Sequence, residues 1–265
     1  MSSMTDKERL ERMYGKQDTL SIRIRLHDRY GVNPYGWRRW VFDQYDFPPG
    51  ARVLELGCGT GVVWQENRAR LPQDARIALS DFSPLMADKA RALLGDLPGF
   101  EFEVLDIQAI PKPDACLDAV IANHMLYHVP DLNKGLSEAA RVLKPGGRFY
   151  ATTTGADTMR ELAEIYRKME GQGTFSFPDK LSFTMESGRP LLEAYFERVT
   201  WRAHEDALAV TDLDDLMAYV LSYNEVPESA RERLYSLLRA GVSADGAFHI
   251  QKVQGMFVCE KAGGA

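Results

Sequence analysis

Three glycines at alternate positions, Gly57, Gly59 and Gly61, follow the apolar run Val53, Leu54 and Leu56 in the stretch Arg52-Val-Leu-Glu-Leu-Gly-Cys-Gly-Thr-Gly61. The run reads as a buried strand and the glycines as the tight turn that ends it, where the backbone can take positive φ and a ligand can approach without meeting a Cβ. Such a turn between a strand and a helix is where doubly wound α/β sheets bind nucleotides. Loops that hold a dinucleotide pyrophosphate space their glycines G-x-G-x-x-G. Here the third glycine comes one residue early, and Val62 stands where those loops want Gly or Ala. Glu55 adds a carboxylate at the strand's end, badly placed beside a diphosphate and well placed to attract a cation. A nucleoside carrying an amino acid fits this chemistry better. About 20 residues past the loop, Asp81 ends a second strand, where an acidic side chain can accept hydrogen bonds from ribose hydroxyls.

The elements that must position these residues alternate between the two types. Asn33 can cap a helix whose first position is Pro34, with Trp37, Trp40, Val41 and Tyr45 at helical spacing and Pro48-Pro49-Gly50 as its stop. A helix runs from about Val62 to Leu71 after the loop. Ile77 to Asp81 is the second strand, and Ser83 and Pro84 open a helix that Gly95 can end. Phe102 and Val104 lie in a third strand ending at Asp106, and Leu117 to Asn123 is a fourth. A helix through Leu132, Leu136 and Leu143 then closes at Pro145-Gly146-Gly147, and Arg148 to Thr154 is a fifth strand. Before all of this, residues 1 to 17 are polar and loose or weakly helical. Leu20, Ile22, Ile24 and Leu26 alternate as in a strand, although Leu20, Ile24 and His27 also fit one helical face.

After Gly155 the alternation changes. Met159, Leu162, Tyr166 and Met169 mark a helix, and the loop Gly171 to Pro190 carries Phe175, Phe177, Phe183 and Met185 among turn residues such as Pro178. A helix through Leu191 to Phe196, a strand from Arg198 to Glu205, a helix capped by Thr211 and another from about Pro227 to Gly241 follow. Phe248 to Glu260 reads as a strand in which Gln251 and Lys252 break the alternation as a bulge.

Val53 to Gly61 resembles the first motif of the class I S-adenosylmethionine-dependent methyltransferases. The likeness continues in that family's order through Leu79-Ser-Asp-Phe-Ser-Pro84, Val104-Leu-Asp106, Val120-Ile-Ala-Asn123 and Leu143-Lys-Pro-Gly-Gly147. It covers about residues 35 to 155 well and the rest loosely. The resemblance implies an α/β fold with a doubly wound, mostly parallel seven-stranded sheet, an antiparallel last strand, and a helical lid inserted near the C-terminus. It implies one domain over 1–265: an N-terminal cap segment 1–47, a cofactor core 48–154, a lid and substrate region 155–246, and a last strand and tail 247–265. S-adenosylmethionine would be bound by Glu55, Gly57, Cys58, Gly59, Gly61, Asp81, Phe82, Asp106, Ile107 and Asn123. In that arrangement Glu55 faces the methionine part or orients the loop amides, Asp106 accepts the adenine amine with Ile107 against the ring, and the Asn123 carbonyl meets the ligand's ammonium. Cys58 is a small residue inside the loop.

Of the histidines after the fourth strand, His128 resembles a structural position of the family, which leaves His124 as the candidate general base. His27, Tyr30, Trp37 and His128 are candidate substrate contacts. Helix packing mainly accounts for the aromatic group Tyr30, Tyr35, Trp37 and Trp40, and a wall for a flat or apolar acceptor is the competing reading. The implied activity is transfer of a methyl group to an N or O nucleophile of a small-molecule acceptor by in-line displacement. A non-catalytic S-adenosylmethionine sensor or partner subunit, or a nucleic-acid or protein methyltransferase, stands as the alternative.

Bulk composition narrows this further. At 265 residues the chain can bury a full core. Its 32 basic and 38 acidic residues give a net charge of -6, which argues against attraction to nucleic acid, and Asn123-His124-Met125-Leu126 lacks the Asn-Pro-Pro-Tyr form used on exocyclic base amines. Cys58, Cys116 and Cys259 are widely spaced, so neither a disulfide frame nor a metal site is expected, and paired thiols for arsenite are absent. The charged N-terminus shows no signal or membrane pattern, and a soluble cytoplasmic protein is the expectation. S-adenosylmethionine and S-adenosylhomocysteine are expected to raise the melting temperature while NAD and ATP leave it unchanged. A thermal shift with NAD and none with S-adenosylhomocysteine would contradict this reading of the loop.

Overall fold

The chain forms a seven-stranded sheet of order β3-β2-β1-β4-β5-β7-β6. It is seen in a computed structural model that describes residues 17–175 and 180–263. Phe177, Pro178 and the polar segment 1–16 lie outside the described residues. In chain order the elements are α1 (Gln17–Tyr30), α2 (Trp37–Asp43), β1 (Arg52–Leu56), α3 (Val62–Glu66), β2 (Arg76–Asp81), α4 (Pro84–Leu94), β3 (Phe100–Val104) and β4 (Leu117–Asn123). They continue with α5 (Leu132–Val142), β5 (Leu143–Thr154), α6 (Arg160–Lys168), α7 (Met185–Glu193), β6 (Arg198–Val210), α8 (Leu213–Tyr223), α9 (Glu228–Ala240) and β7 (Phe248–Glu260). β1 pairs in parallel with β2 and β4, β2 with β3, and β4 with β5, while β7 runs antiparallel to β5. The expected mostly parallel sheet with an antiparallel last strand is therefore present, and no helix among the described residues is long and apolar enough to cross a membrane.

The chain divides into two compact units that interleave in sequence. One comprises residues 37–154, 182–204 and 254–265, the other 1–36, 155–181 and 205–253. The segment expected as a lid is thus split, because 182–204 belongs with the glycine-loop sheet.

In the first of these units the strands β1, β2 and β4 are buried almost throughout. Leu54, Leu56, Val120, Ala122, Leu136, Phe149 and Phe257 pack on one side and Val53, Trp64, Ile77, Leu79, Ile121 and Tyr150 on the other. Several local readings change. Trp37, not Pro34, begins α2, because Asn33 Oδ1 accepts the amide of Tyr35 at 3.0 Å in a local turn and Gly36 takes φ 78°. The helix after the glycine loop stops at Glu66, where Asn67 turns its Nδ2 back onto the Val63 carbonyl at 2.8 Å and only a 3-10 turn follows. Lys144 to Gly147 opens β5 instead of closing a helix, and a register jump between Leu117 and Ala119 absorbs it. Among the described residues of the stretch Gly171 to Pro190, Phe183 is fully buried, and Thr184 and Ser187 form a reciprocal cap that starts α7 with Pro190 inside it.

The other unit answers the question left open at the N-terminus. α1 is a helix, not a strand, because the side chains it buries, Arg23, Leu26 and Tyr30, recur at helical spacing, and Leu26 and Tyr30 share a core with Leu216, Tyr219 and Val220 of α8. Asp212, not Thr211, caps α8, its Oδ1 accepting from Asp214 at 2.9 Å. Phe175 stacks on Tyr166 with centroids 5.0 Å apart.

β7 keeps its alternation of burial from Phe248 to Gln254, since Lys252 points inward and pairs at 2.5 Å with Asp206, each side chain 6% exposed. Burial raises the Asp206 carboxyl, but the Lys252 ammonium and the amides of Asn33 and Ala207 outweigh it, so the group lies below its usual range. A depressed carboxyl contributes stability above its ordinary pKa that is lost as pH falls through the folded value. Lys252→Ala, which leaves Asp206 buried without its cation, is expected to cost about 3–5 kcal/mol in urea unfolding at pH 7. The loss should shrink as the pH is lowered through the carboxylate range. A cost that does not change with pH would show that Asp206 is not the group responsible.

Candidate active site

The candidate site lies at the carboxyl ends of β1, β2 and β4, where the sheet order reverses between β1 and β4 and a doubly wound sheet opens a crevice. Cys58 N donates to Ser80 O at 2.9 Å and Gly61 N to Cys58 O at 3.0 Å, folding the glycine loop across the end of β2. Gly57, Gly59 and Gly61 take φ of 64°, 57° and 75°. Two of them also answer to neighbours: a Cβ on Gly57 would lie 2.8 Å from Met125 Cβ, and one on Gly61 would lie 2.7 Å from Leu94 Cδ1. On Gly59 a Cβ would meet nothing within 4 Å, so that face of the loop is open. Burial pushes the Cys58 thiol well up, and the Glu55 and Asp81 carboxylates add to it, so it is neither a ready nucleophile nor a metal ligand.

Asp81 supports the loop from below. Its Oδ2 accepts the amide of Gly59 at 3.0 Å and its Oδ1 the amide of Ser83 at 2.8 Å. Burial raises this carboxyl and the amides of Ser83, Gly59 and Phe82 hold it down. Each oxygen keeps lone-pair capacity for a further donor. Ser83 stands at the N-cap of α4, but Asp81 rather than the Ser83 hydroxyl does the hydrogen bonding there. Next to it Phe82 is 41% exposed. Asp106 follows β3 and accepts the Gln108 amide at 2.9 Å, which starts the 3-10 turn Ile107–Ala109. That turn sends the Ile107 side chain inward, 5% exposed in the core and facing Gly135, and not onto an open face.

Glu55 is 2% exposed and faces the protein interior. Trp64 Nε1 donates to its Oε2 and Asn123 Nδ2 to its Oε1, the latter at 2.8 Å. Burial raises the carboxyl, and these two donors pull against that. Asn123 Nδ2 also reaches Tyr45 Oη at 2.8 Å, and Thr152 Oγ1 lies 3.4 Å from Asn123 Oδ1. Burial and the Glu55 charge push the Tyr45 phenol well up, so it stays protonated. The Asn123 side chain, which an ordinary turn residue would leave in solvent, is the hub of a buried network.

Beyond Asn123 the chain turns sharply. His124 takes φ 49°, a conformation uncommon for a residue with a side chain. Its amide donates to Thr152 O at 3.2 Å and Thr152 Oγ1 at 3.0 Å. The turn lays Met125 against Gly57 and sets the imidazole 5.2 Å from the Trp37 ring. Trp37 stacks on Trp40 at 5.3 Å, and His204, 3% exposed and 3.2 Å from Gln254 Nε2, meets both indoles edge-on at 5.2 and 5.1 Å. His128 ends the 3-10 turn Leu126–His128, edge-on to Tyr127 at 4.6 Å.

Glu55, the three glycines, Asp81, Phe82, Asn123, His124, Trp37 and His128 thus share one unit. His27 and Tyr30 belong to the other, where His27 lies edge-on to Tyr219 at 5.7 Å and Tyr30 Oη donates to Asp215 at 2.9 Å. Sequence reasoning missed Tyr45, Trp64 and Thr152. Tyr45 reads as a helix-face aromatic, Trp64 and Thr152 do not stand out within the helix and the strand that hold them, and only tertiary structure gives the three their polar partners.

Residues 54–151 match a family model described as a methyltransferase domain. The ubiquinone/menaquinone biosynthesis C-methyltransferase UbiE of Geotalea daltonii is 32% identical over 155 residues, 56% of this chain and 64% of that protein. The malonyl-[acyl-carrier protein] O-methyltransferase of Serratia marcescens is 30% identical over 127 residues, 47% of this chain and 46% of that protein. The chain spans 31% to 64% of the length of these and a third curated relative. Two solved structures share the fold. YcgJ of Bacillus subtilis has a TM-score of 0.62 and 15% identity, over 86% of this chain and 98% of that one. Phosphoethanolamine N-methyltransferase 2 of Haemonchus contortus, in complex with phosphomonomethylethanolamine and S-adenosylhomocysteine, has a TM-score of 0.62 and 17% identity, over 98% of this chain and 60% of that one.

The contrast between neighbouring glycines gives a stability test. Gly57→Ala combines left-handed strain with a clash against Met125 Cβ and Cγ and is expected to cost about 2–4 kcal/mol. Gly59→Ala adds the strain alone, about 1–2 kcal/mol. Urea unfolding of both variants is the check, and equal costs would contradict the Met125 contact.

Proposed function

We propose, from the premise that residues 54–151 belong to the methyltransferase domain family on the class I, S-adenosylmethionine-dependent fold, that this chain methylates a planar small molecule bearing an acidic hydroxyl. The observation that carries the cofactor half is Asp81. It is a mostly buried carboxylate with spare lone pairs, bonded to the amide of a glycine whose outer face is open, beside an exposed phenyl ring. Those features fit a nucleoside. Asp81 would take the ribose hydroxyls, Phe82 the adenine face, Asp106 the adenine amine, and the backbone of Gly57 to Gly61 and of Asn123 the amino-acid part. When bound, S-adenosylmethionine supplies a methyl group on a sulfonium, whose displacement leaves a neutral thioether.

The chain's own work is then alignment and proton removal. Alignment can contribute about 7–11 kcal/mol, and a positioned base about 10²–10⁴-fold. Trp37, braced by Trp40 and His204, offers a fixed aromatic plane next to His124. A flat acceptor on that plane would give its hydroxyl proton to the imidazole. The resulting oxyanion is nucleophilic at oxygen and, when conjugated to a ring, at the adjacent carbon. One arrangement therefore serves O- or C-transfer, and the names of the two relatives include both kinds.

The test measures S-adenosylhomocysteine release from S-adenosylmethionine with a panel of phenols, catechols, hydroquinones and primary amines. Hydroxyl acceptors are expected to turn over. His124→Gln should lower kcat by about 10²–10⁴-fold while leaving S-adenosylhomocysteine affinity unchanged. Asp81→Ala should do the reverse, losing charged hydrogen bonds worth about 1.5–3 kcal/mol each in calorimetry. Turnover unaffected by His124→Gln would overturn the base assignment. Binding without turnover across the panel would overturn the enzymatic reading in favour of a cofactor-binding module.

A further inference from the structure

A histidine in the left-handed region is strained and persists only where its surroundings hold it. At His124 the holder is one residue of the neighbouring strand. Resting on the assignment of His124 above, we propose that Thr152 is a positioning residue for methyl transfer, a latch that fixes the His124 turn and so aims its imidazole beside Trp37.

In the β4–β5 ladder Asn123 stands opposite Thr152, and the ladder ends there. The next amide, that of His124, falls between two acceptors on Thr152, the carbonyl at 3.2 Å and the hydroxyl at 3.0 Å. A strand alone would supply only the carbonyl. The hydroxyl shapes the turn, because accepting from His124 N draws that amide back toward β5 as the chain leaves the sheet. Thr152 is fully buried, so water cannot replace the hydroxyl.

The hydroxyl's own orientation is set from the other side. Its proton points to Asn123 Oδ1 at 3.4 Å, longer than a usual O–H···O bond, so this contact orients the rotor more than it binds. Asn123 cannot turn away, because its Nδ2 is held at 2.8 Å by both Glu55 and Tyr45, and Glu55 is held in turn by Trp64. Five side chains from β1, β4, β5, α3 and the segment after α2 thereby fix the geometry of one backbone amide. None of the others needs to touch an acceptor for His124 to be aimed.

Thr152→Val keeps the β-branched shape and removes the hydroxyl. Thr152→Ser keeps the hydroxyl, and Thr152→Cys is a second variant of similar size with a weak acceptor. The chain has five histidines, so imidazole Cε1–H resonances of the full-length protein are resolvable by carbon-13 labelling, with His124→Gln giving the assignment. With S-adenosylhomocysteine bound, Thr152→Val and Thr152→Cys are expected to shift or broaden the His124 resonance, leave those of His27 and His249 in place, and keep S-adenosylhomocysteine affinity. Thr152→Ser should resemble the parent. A His124 resonance unmoved by Thr152→Val and Thr152→Cys would overturn the latch, whatever the acceptor and whether or not His124 proves to be a base. With an acceptor found by the panel, Thr152→Val is expected to lower kcat by about 10²-fold without raising the KM for S-adenosylmethionine. In the His124→Gln background it should have no further effect. Equal losses in both backgrounds would mean a merely structural threonine and would likewise overturn the proposal.

Discussion

A carboxylate taken out of water must find donors inside the protein, and this constraint at the end of β1 ties the candidate site together. Among the described residues, the side chain of Glu55 pairs with no cation; it has the indole of Trp64 and the amide of Asn123. Hydrogen bonds to charged groups contribute about 1.5–3 kcal/mol each. Meeting them requires α3 to start at Val62 so that Trp64 comes under the strand, and β4 to end with Asn123 turned inward. Both consequences shape the candidate site. The early start of α3 leaves the glycine loop short, and the inward Asn123 leaves its backbone at the sheet's edge, where the following turn presents His124.

Asp81 performs a parallel service one strand away. Its two oxygens hold one amide each, Gly59 on the loop after β1 and Ser83 at the head of α4. Both carboxylates are raised by burial and drawn back by hydrogen-bond donors. Only Asp81 lies beside an open surface, next to Phe82 and the free side of Gly59. The two acidic strand ends therefore differ in surroundings: Glu55 is closed in by side chains, and Asp81 borders open space, which is what the proposed cofactor role asks of it.

What could be read from the sequence follows the same physics. The central strands were legible because each is a buried apolar run ending in a residue that cannot continue it, and the glycine spacing was legible because positive φ and close approach both demand glycine. α1 was ambiguous because Leu20 to Leu26 alternate by chance in a helix that, among its described side chains, buries Arg23, Leu26 and Tyr30, and an arginine does not announce burial. Lys252 looked like a defect in β7 because its partner Asp206 is 46 residues away. Phe183 read as part of a loop among turn residues, and its burial beside Phe257 leaves no mark in the local sequence. Within the site, Asp81, Asn123 and His124 stood out as polar residues at strand ends. The network joining Glu55, Asn123, Tyr45 and Thr152 did not, since side-chain hydrogen bonds between distant segments leave no periodic trace.

The central claim is that the ends of β1, β2 and β4 hold S-adenosylmethionine through loop amides and Asp81. Backbone amide chemical shifts recorded while S-adenosylhomocysteine is titrated into the full chain test it most directly. The account expects the largest changes at Cys58 to Gly61, at Asp81 and Phe82, and at Asn123 and His124, with amides of α9 unmoved. Saturable binding whose shifts avoid the glycine loop and Asp81 would contradict it.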